Sequence, residues 1–238
     1  MAHQFTETRD VLSGVRLFRG LSGNQLDEAA AASRRIRKEP GADFFRQGQD
    51  ARYLFVVVGG QVKVSQITPE GHQIVVRYAG PGEMFGCAPL YGGKEYPATA
   101  TAVIPGEALA WDRPAMDRLM ERYPAIALNA LELLGEELYE TRARYQELAT
   151  ERVERRVARA LLRLVAQGGR RVEGGVLINF PVTRQDLAEI TGTTLHTVSR
   201  ILSGWEQQGI VASGRRRIVI RRPHALVSVA EDLVEDRR

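Results

Sequence analysis

The sequence predicts an α+β fold with three parts: an antiparallel β-domain over residues 1–113, a long helix over 114–149 and a winged helix-turn-helix over 150–238. Three patterns lead to this prediction. Short strand-like segments alternate with glycine turns in the first part, and a helical repeat of apolar residues follows Pro114. In the last part, two short helical segments joined by Gly192 precede a basic hairpin.

The β-domain is indicated by runs of apolar and β-branched residues that are separated by turn residues. The runs cover residues 53–58, 61–67 and 73–78, and the turns between them contain Gly60 and Gly71. Strands this short and this closely spaced predict a small antiparallel barrel or sandwich.

The helix after Pro114 carries a narrow apolar stripe with alternating steps of four and three residues. Its members are Ala127, Leu131, Leu134, Leu138, Thr141, Tyr145 and Leu148. This spacing is typical of the a/d seam of a coiled coil, which on an otherwise polar helix usually faces an identical helix, so we expect a parallel homodimer. The alternative is packing on the chain's own β-domain, and Ile126, Leu128 and Leu133 suggest that the start of the helix partly does that.

Residues 181–202 predict a helix-turn-helix. The first helix has an apolar face that contains Leu187 and Ala188, and Gly192 supplies a turn residue that is free to adopt positive φ. The second helix has an apolar stripe formed by Val198, Ile201, Leu202 and Trp205. Two ordinary helices of an enzyme domain are the alternative interpretation.

The exposed face of the second helix begins with Leu195, His196, Ser199 and Arg200. The N-terminal end of a recognition helix is the part that reaches base edges in the major groove of DNA. We therefore expect His196, Ser199 and Arg200 to contact bases, with Arg200 on a guanine.

Basic residues concentrate in the C-terminal part of the chain. Residues 152–238 carry 16 Arg or Lys against 9 Asp or Glu, whereas residues 1–151 carry 17 against 20. Segment 213–222 predicts a basic hairpin with a glycine turn, in which Arg215, Arg216 and Arg217 would contact phosphates of double-stranded DNA. A two-fold dimer would place two recognition helices about 34 Å apart, so the binding site should be an inverted repeat.

The composition argues against several other classes of protein. The chain has no run of about eighteen apolar residues and no basic-then-apolar leader, so a cytoplasmic protein is expected. The single cysteine, Cys87, excludes an internal disulfide and a cysteine-cluster metal site within one chain. A phosphate-binding glycine loop and a nucleophile-and-base spacing are also absent from the sequence, so an enzyme is not expected.

Two segments of the helix-turn-helix are distinctive: residues 182–188 (Val-Thr-Arg-Gln-Asp-Leu-Ala) and 197–202 (Thr-Val-Ser-Arg-Ile-Leu). With residues 45–48, 80–86 and 98–100 they make the chain resemble the CRP/FNR superfamily of bacterial transcription regulators. The resemblance implies that the β-domain is a jelly-roll, cyclic-nucleotide-binding-like β-roll that senses a signal, and that RNA polymerase is a further partner. It also implies phosphate contacts from side chains near the two helix starts: Thr183, Arg184, Gln185, Thr194 and Thr197.

The chain departs from this family at positions that would determine its ligands. Most relatives have glutamate where this chain has His196, so the half-site sequence stays open. Cyclic-nucleotide-binding members use a glutamate for the ribose and an Arg-Ser pair for the phosphate, where this chain has Cys87 and Pro97-Ala98. Because burying a phosphate without a cation is costly, cyclic AMP is not expected. Oxygen-sensing members hold an iron–sulfur cluster on N-terminal cysteines, and no cysteine precedes Cys87.

The effector therefore stays open. The remaining branches of the family respond to nitric oxide or carbon monoxide, some of them through haem, or have no known effector. The candidate haem ligands here are His3, His72, His196, His224 and Cys87, although Cys87 is expected to be a buried small hydrophobe. An effector pocket would be lined by Met84, Phe85, Gly86, Cys87, Leu90, Tyr91, Tyr96 and Thr99. Such a pocket would take an apolar ligand or be filled by its own side chains.

Three other functions remain as alternatives. The first is an effector-independent regulator that is controlled by its abundance or by cysteine oxidation. The second is a protein-interaction module with a degenerate helix-turn-helix, and the third is an enzyme with an allosteric β-domain. The arginines of segment 213–222 argue against the second because they favour salt-sensitive DNA binding.

Overall fold

The computed structural model describes residues 2–232, with side chains from Thr8 onward. The helices within this range are α1 (Ala2–Ser13), α2 (Gly23–Ala31), α3 (Arg113–Arg122), α4 (Pro124–Thr150), α5 (Val153–Gly168), α6 (Arg184–Thr191), α7 (Leu195–Gln207) and α8 (Pro223–Glu231). The strands are β1 (Arg34–Lys38), β2 (Asp43–Phe45), β3 (Tyr53–Gly59), β4 (Val62–Ile67), β5 (Gln73–Ala79), β6 (Met84–Phe85), β7 (Thr99–Ala102), β8 (Gly106–Asp112), β9 (Gly169–Val172), β10 (Gly175–Ile178), β11 (Val211–Gly214) and β12 (Arg217–Ile220).

The chain forms two compact units. One contains residues 1–67 and 79–141, and the other contains residues 68–78 and 142–238. The division falls within α4, and the predicted boundaries at residues 113/114 and 149/150 stay predictions.

The strands before α3 pair in two antiparallel sheets with the orders β1-β8-β3-β6 and β2-β7-β4-β5. The turn between β3 and β4 requires glycine, because Gly60 has a φ of 89° and a Cβ there would lie 2.4 Å from the carbonyl oxygen of Pro105. The predicted α+β fold with an antiparallel β-roll is confirmed.

The first unit has two apolar cores. One lies between the helices and the β1-β8-β3 face, where the buried Trp111 donates from Nε1 to the carbonyl oxygen of Ala29 at 2.8 Å. The other fills the interior of the roll with aromatic side chains, among them Phe45, Phe55 and Phe85. Aromatic side chains of the strands thus lie in the interior between the two sheets.

The helical region differs from the prediction in its continuity. The sequence predicted one helix over residues 114–149, but α3 ends at Arg122 and α4 begins at Pro124. Tyr123 separates them with φ −129° and ψ 80°. Proline explains the break, since its ring disfavours helical backbone at the preceding residue and it has no N–H to donate.

The first turns of α4 pack on the β-domain. Ile126 is fully buried and Leu133 packs partly against the same core, as predicted. The buried Asn129 amide donates to the carbonyl oxygens of Leu17 and Arg19 at 3.0 and 2.9 Å. The prediction for Leu128 was wrong, because 68% of this residue is exposed and it lies outside the packed face.

The predicted seam of α4 is mostly uncovered in the part of the chain that the structure describes. Leu131 is 69% exposed and Tyr145 is 73% exposed. Of the other members, Ala127, Leu138, Thr141 and Leu148 are exposed and Leu134 is half-buried. This helix therefore presents a long apolar stripe that the chain itself does not bury.

The second unit combines helices α5 to α8 with an antiparallel sheet of order β11-β12-β10-β9. Its core is built from the apolar faces of α5 and α7 and from Ile218 and Ile220 of β12. No helix within residues 2–232 is long and apolar enough to cross a membrane.

Candidate nucleic-acid interface

The start of α6 is fixed by reciprocal hydrogen bonds between Thr183 and Asp186. Thr183 Oγ1 accepts from the Asp186 backbone nitrogen at 2.9 Å, and the Asp186 carboxylate accepts from the Thr183 nitrogen at 2.8 Å and hydroxyl at 2.6 Å. This arrangement is a capping box. The hydroxyl proton of Thr183 is therefore already donated within the protein, and its predicted phosphate contact stays a prediction.

The turn between α6 and α7 has the predicted glycine geometry. Gly192 is left-handed, with φ 60° and ψ 46°, and its N–H donates to the carbonyl oxygen of Ala188. Thr194 then caps α7, because its hydroxyl accepts from the Thr197 backbone nitrogen at 3.2 Å and lies 3.0 Å from the Thr197 hydroxyl. Two of the predicted phosphate-contacting side chains thus also define where the recognition helix begins.

The rotation of α7 about its axis is set by three buried side chains, Val198, Leu202 and Trp205. Trp205 Nε1 donates to Glu154 Oε1 of α5 at 3.1 Å, which satisfies the only polar atom of the buried indole. The apolar stripe that the sequence predicted for α7 is therefore its packed face.

The opposite face of α7 presents the predicted base-contacting residues. His196 and Arg200 are exposed and Ser199 is half-buried. Within residues 2–232, Arg200 makes no hydrogen bond or ion pair, so its guanidinium is directed to solvent with all its donors available.

Arg184 links α6 to the strand that follows α7. Its guanidinium donates to Ser213 Oγ at 2.9 Å and lies 3.7 Å from a Glu206 carboxylate oxygen. Glu206 also accepts from the Ser213 backbone nitrogen at 2.9 Å. Part of the Arg184 charge is therefore paired within the protein. The exposed Gln185 similarly donates to Glu189 at 2.9 Å.

The hairpin of β11 and β12 has the predicted position but a different turn. Gly214 pairs with Arg217, so Arg215 and Arg216 form the tip, and Arg216 takes the left-handed conformation with φ 58°. The prediction that glycine forms the turn was wrong. Burial of Ile218 on β12 fixes the strand register, and this register places two arginines at the tip.

A cleft of about 420 Å³ joins the start of α6 to this hairpin. Its lining consists of Thr183, Arg184, Gly214, Arg215 and Arg216. Four of the residues predicted to contact phosphates, separated by about 30 positions in sequence, therefore share one basic concave surface. Gln185, Thr194, Thr197 and Arg217 lie outside its lining.

Several residues that hold this surface together were missed from the sequence. Arg156 of α5 donates to the carbonyl oxygen of Thr191, the last residue of α6, at 3.0 Å. Glu154 accepts the hydrogen bond of Trp205, and Glu206 pairs with Arg184 and accepts from the Ser213 nitrogen. No local pattern signals these roles, because each partner is distant in sequence.

The structure divides the predicted effector-pocket residues between the two cores, because Met84, Cys87 and Leu90 pack against the core beneath the helices whereas Phe85 and Tyr96 belong to the aromatic core of the roll. Phe85 and Tyr96 are buried, and the ring centroids of Phe45 and Tyr96 are only 3.7 Å apart. The Tyr96 hydroxyl donates to the Tyr53 carbonyl oxygen at 2.7 Å, and burial raises the pKa of Tyr96. Of the remaining predicted residues, Met84, Gly86, Cys87, Leu90 and Thr99 are half-buried and Tyr91 is exposed.

Tyr96 also lines a separate cavity of about 480 Å³ with Arg34, Phe44 and Tyr53 among its other walls. Of the predicted pocket residues, only Tyr96 contributes to it. Phe45, Phe55 and Tyr96 therefore both pack with one another and line this cavity, and the ligand-binding pocket and the self-filled pocket both stay predictions.

The candidate haem ligands are dispersed. His72, His196 and His224 are exposed and Cys87 is half-buried rather than buried, whereas the side chain of His3 lies outside the described residues. Among the residues that the structure describes, no three His, Cys, Asp or Glu side chains are grouped so as to hold a metal ion.

Comparisons with known proteins match both units. The cyclic nucleotide-binding domain family matches residues 35–123, and the Crp-like helix-turn-helix domain family matches residues 155–229. The chain is 32% identical to the cyclic AMP receptor protein of Thermus thermophilus, over 92% of this chain and 98% of that protein.

Two solved structures are similar over most of the chain. FixK2 from Bradyrhizobium japonicum has a TM-score of 0.73 and 25% identity, covering 83% of this chain and 96% of that one. The Thermus thermophilus catabolite activator protein has a TM-score of 0.53 and 32% identity, covering 92% and 100%.

The left-handed turn residue gives a testable expectation for stability. Arg216→Gly should leave the free energy of unfolding unchanged or raise it by up to about 1 kcal/mol, because relief of left-handed backbone offsets the entropy of an added glycine. Arg217→Gly is the matched control, since it removes the same charge from a strand residue, and it should cost about 0.5–1 kcal/mol. Urea unfolding followed by circular dichroism measures both, and a larger loss for Arg216→Gly would contradict the expectation.

Proposed function

The chain belongs to the CRP/FNR superfamily of transcription regulators, and on this premise we propose that it binds an inverted-repeat operator as a homodimer under the control of a signal at the β-roll. The observation that carries the proposal is the exposed face of α7, on which the Arg200 guanidinium is directed to solvent, in a unit that also carries the basic cleft between the start of α6 and the β11–β12 hairpin. A base-contacting face next to a phosphate-binding surface is the arrangement that sequence-specific DNA binding requires.

The proposed division of labour follows from exposure and charge. Arg200 would donate two hydrogen bonds to guanine O6 and N7, while His196 and Ser199 contact neighbouring base edges. Arg215 and Arg216, at the tip of the exposed hairpin, would lie along a phosphate backbone, where they add affinity without selecting sequence. The regulatory output would then involve RNA polymerase, as the family implies.

The homodimer is supported by the uncovered stripe of α4. Each large apolar side chain left in water forgoes roughly 1.5–3 kcal/mol that burial would supply. A second copy of the same helix would bury Leu131, Leu138 and Tyr145 against their equivalents, and its two-fold symmetry would match an inverted repeat.

The proposed effector is not a cyclic nucleotide bound through an arginine–serine pair. Although one relative is named a cyclic AMP receptor protein, the resemblance implies that Pro97 and Ala98 take the place of that pair in this chain. Pro97 has no backbone N–H, Ala98 is buried, and neither offers a cation to the phosphate. Haem, another small ligand and effector-independent control are the remaining proposals for the sensor.

The first test is selection of a randomised inverted-repeat DNA pool by the purified protein, followed by affinity measurements on the enriched sequence. Arg200→Ala should cost about 1–3 kcal/mol on that sequence and little on random DNA. Arg215→Ala is the control, since loss of a phosphate contact should weaken both DNAs alike and reduce the salt dependence. Equal losses of Arg200→Ala on both DNAs would mean that Arg200 contacts only phosphate.

The seam of α4 gives the second test. Replacing Leu134 and Leu138 by Ala should weaken dimerisation and operator binding together, because both depend on the apolar stripe that the proposed dimer would bury. Glu140→Ala, on the opposite face of the helix, should change neither. Sedimentation equilibrium and operator affinity are the measurements, and a fully dimeric double variant with normal affinity would refute the proposed seam.

The third test concerns cyclic AMP. We expect the same operator affinity and the same melting temperature with and without saturating cyclic AMP, because a ligand that binds the folded chain would raise the melting temperature. Fluorescence anisotropy and thermal unfolding provide the two readouts. A rise in either with cyclic AMP concentration would show that the pocket accepts the nucleotide without the arginine.

A further inference from the structure

The cavity of about 480 Å³ in the first unit has no part in the proposed contacts with DNA. Strands β1, β2 and β3 contribute to its walls together with residues 48–50, Arg52 and Tyr96. Its volume lies within the range of about 300–1,000 Å³ in which proteins bind small molecules. Since only Tyr96 among the residues predicted for the effector pocket lines it, this cavity is a separate candidate site.

Five of the eleven residues that line the cavity are aromatic, and we call these five the aromatic wall: Phe44, Phe45, Tyr53, Phe55 and Tyr96. Phe44 meets Phe55 edge to face, with ring centroids 5.9 Å apart. Phe44 and Tyr53 are only half-buried, so part of each ring is still available to a ligand. Because aromatic rings attract one another beyond the effect of buried area, this wall favours an aromatic ligand over an aliphatic one.

Backbone hydrogen bonds hold the wall in place. The Tyr96 hydroxyl donates to the Tyr53 carbonyl oxygen at 2.7 Å and accepts from the Tyr53 nitrogen at 2.9 Å. The Gly48 nitrogen donates to the Tyr96 carbonyl oxygen, and the Tyr96 nitrogen donates to the Gln49 carbonyl oxygen, both at 2.9 Å. A ligand that entered the cavity would therefore lose little affinity to the ordering of its walls.

The charge at this cavity comes from Arg34 of β1. Its guanidinium carbon lies 3.8 Å from the centroid of the Tyr53 ring, a cation–π contact that leaves the N–H donors at the edge of the group. Among the residues that the structure describes, no carboxylate pairs with Arg34, whereas Arg52, the other arginine of the lining, pairs with Asp50 at 2.9 Å. The Arg34 charge is therefore available to an anion.

We propose that this cavity binds a small aromatic carboxylate, with the ring of the ligand on the aromatic wall and its carboxylate on the Arg34 guanidinium. The two oxygens of a carboxylate match two parallel N–H donors of arginine. Binding itself does not depend on DNA. The cavity is then also the site that receives the signal at the β-roll, and this regulatory part alone rests on the proposed function.

Three matched probes and two variants test the site by isothermal titration calorimetry on the full chain. The probes are 2-naphthoate, the uncharged 2-naphthamide and the saturated decahydro-2-naphthoate, which separate the charge of the ligand from its aromatic ring. The variants are Arg34→Ala and Arg37→Ala. Arg37 is the control, since it is an exposed arginine of the same strand that lies outside the lining of the cavity.

We expect 2-naphthoate to bind the wild-type protein and Arg37→Ala equally. Arg34→Ala should weaken its binding at least about tenfold, the loss of one hydrogen bond to a charged group. The amide and the saturated acid should both bind the wild-type protein more weakly than 2-naphthoate, and Arg34→Ala should weaken the amide less than the acid. Circular dichroism and the melting temperature check that each variant is folded.

Several results would overturn the site. Absence of 2-naphthoate binding to the wild-type protein refutes it outright. Equal losses in Arg34→Ala and Arg37→Ala, or equal affinities of the acid and the amide, refute the role of Arg34. A saturated acid that binds as tightly as 2-naphthoate refutes the aromatic specificity.

Operator affinity with and without saturating 2-naphthoate tests the regulatory part. A change in the wild-type protein and in Arg37→Ala that is lost in Arg34→Ala supports this cavity as the site of the signal, because binding at two coupled sites is reciprocal. Binding of 2-naphthoate without any change in operator affinity refutes the signalling role and leaves the binding site. If no operator is enriched, the proposed function fails while the calorimetric result stands.

Discussion

Burial of one stripe of α7 is the constraint on which the nucleic-acid interface depends. The core of the second unit buries Val198, Leu202 and Trp205. The hydrogen bond from Trp205 to Glu154 then fixes the rotation of α7 about its own axis. Turning the helix by one residue would expose the indole and move Arg200 toward the core, and an unpaired buried guanidinium costs several kcal/mol. The residues that we propose to face DNA are therefore determined by the buried apolar residues on the opposite side of α7.

Charge repulsion and charge pairing oppose each other around the hairpin of β11 and β12. The cleft concentrates Arg184, Arg215 and Arg216, whose mutual repulsion disfavours the folded arrangement. Glu206 offsets part of that repulsion by pairing with Arg184 and by accepting from Ser213. In the proposed complex, the same carboxylate would compete with an incoming phosphate for Arg184, so we expect Arg215 and Arg216 to provide the larger share of the attraction.

Periodicity in the sequence was sufficient for the strands within residues 53–78 and for α6 and α7, whereas elements such as α1, α5 and α8 were not predicted from it. The helical spacing of apolar residues located α6 and α7, and it identified the face that carries Arg200. The sequence-based predictions were wrong or incomplete where the structure depends on contacts between residues that are distant in sequence. The left-handed Arg216 follows from a strand register set by burial of Ile218, and Glu154 stabilises Trp205 from 51 positions away. The break at Tyr123 follows from Pro124, which is a local signal, and the apolar stripe begins only after it, at Ala127.

Apolar side chains are used in opposite ways in the roll and on α4. In the roll, stacking of Phe45 on Tyr96 already fills interior space, so a ligand that entered there would have to offset the roughly 0.5–1.5 kcal/mol of an aromatic pair before gaining affinity. On α4, Leu131 and Tyr145 are exposed, and the partner helix that we propose would cover them without a rearrangement of α4. In the homodimer that we propose, a signal can shift an equilibrium between two states only through its difference in affinity for them. A ligand that displaced the Phe45–Tyr96 stack would have to offset its loss, whereas a ligand in the cavity of about 480 Å³ that these two residues line would not.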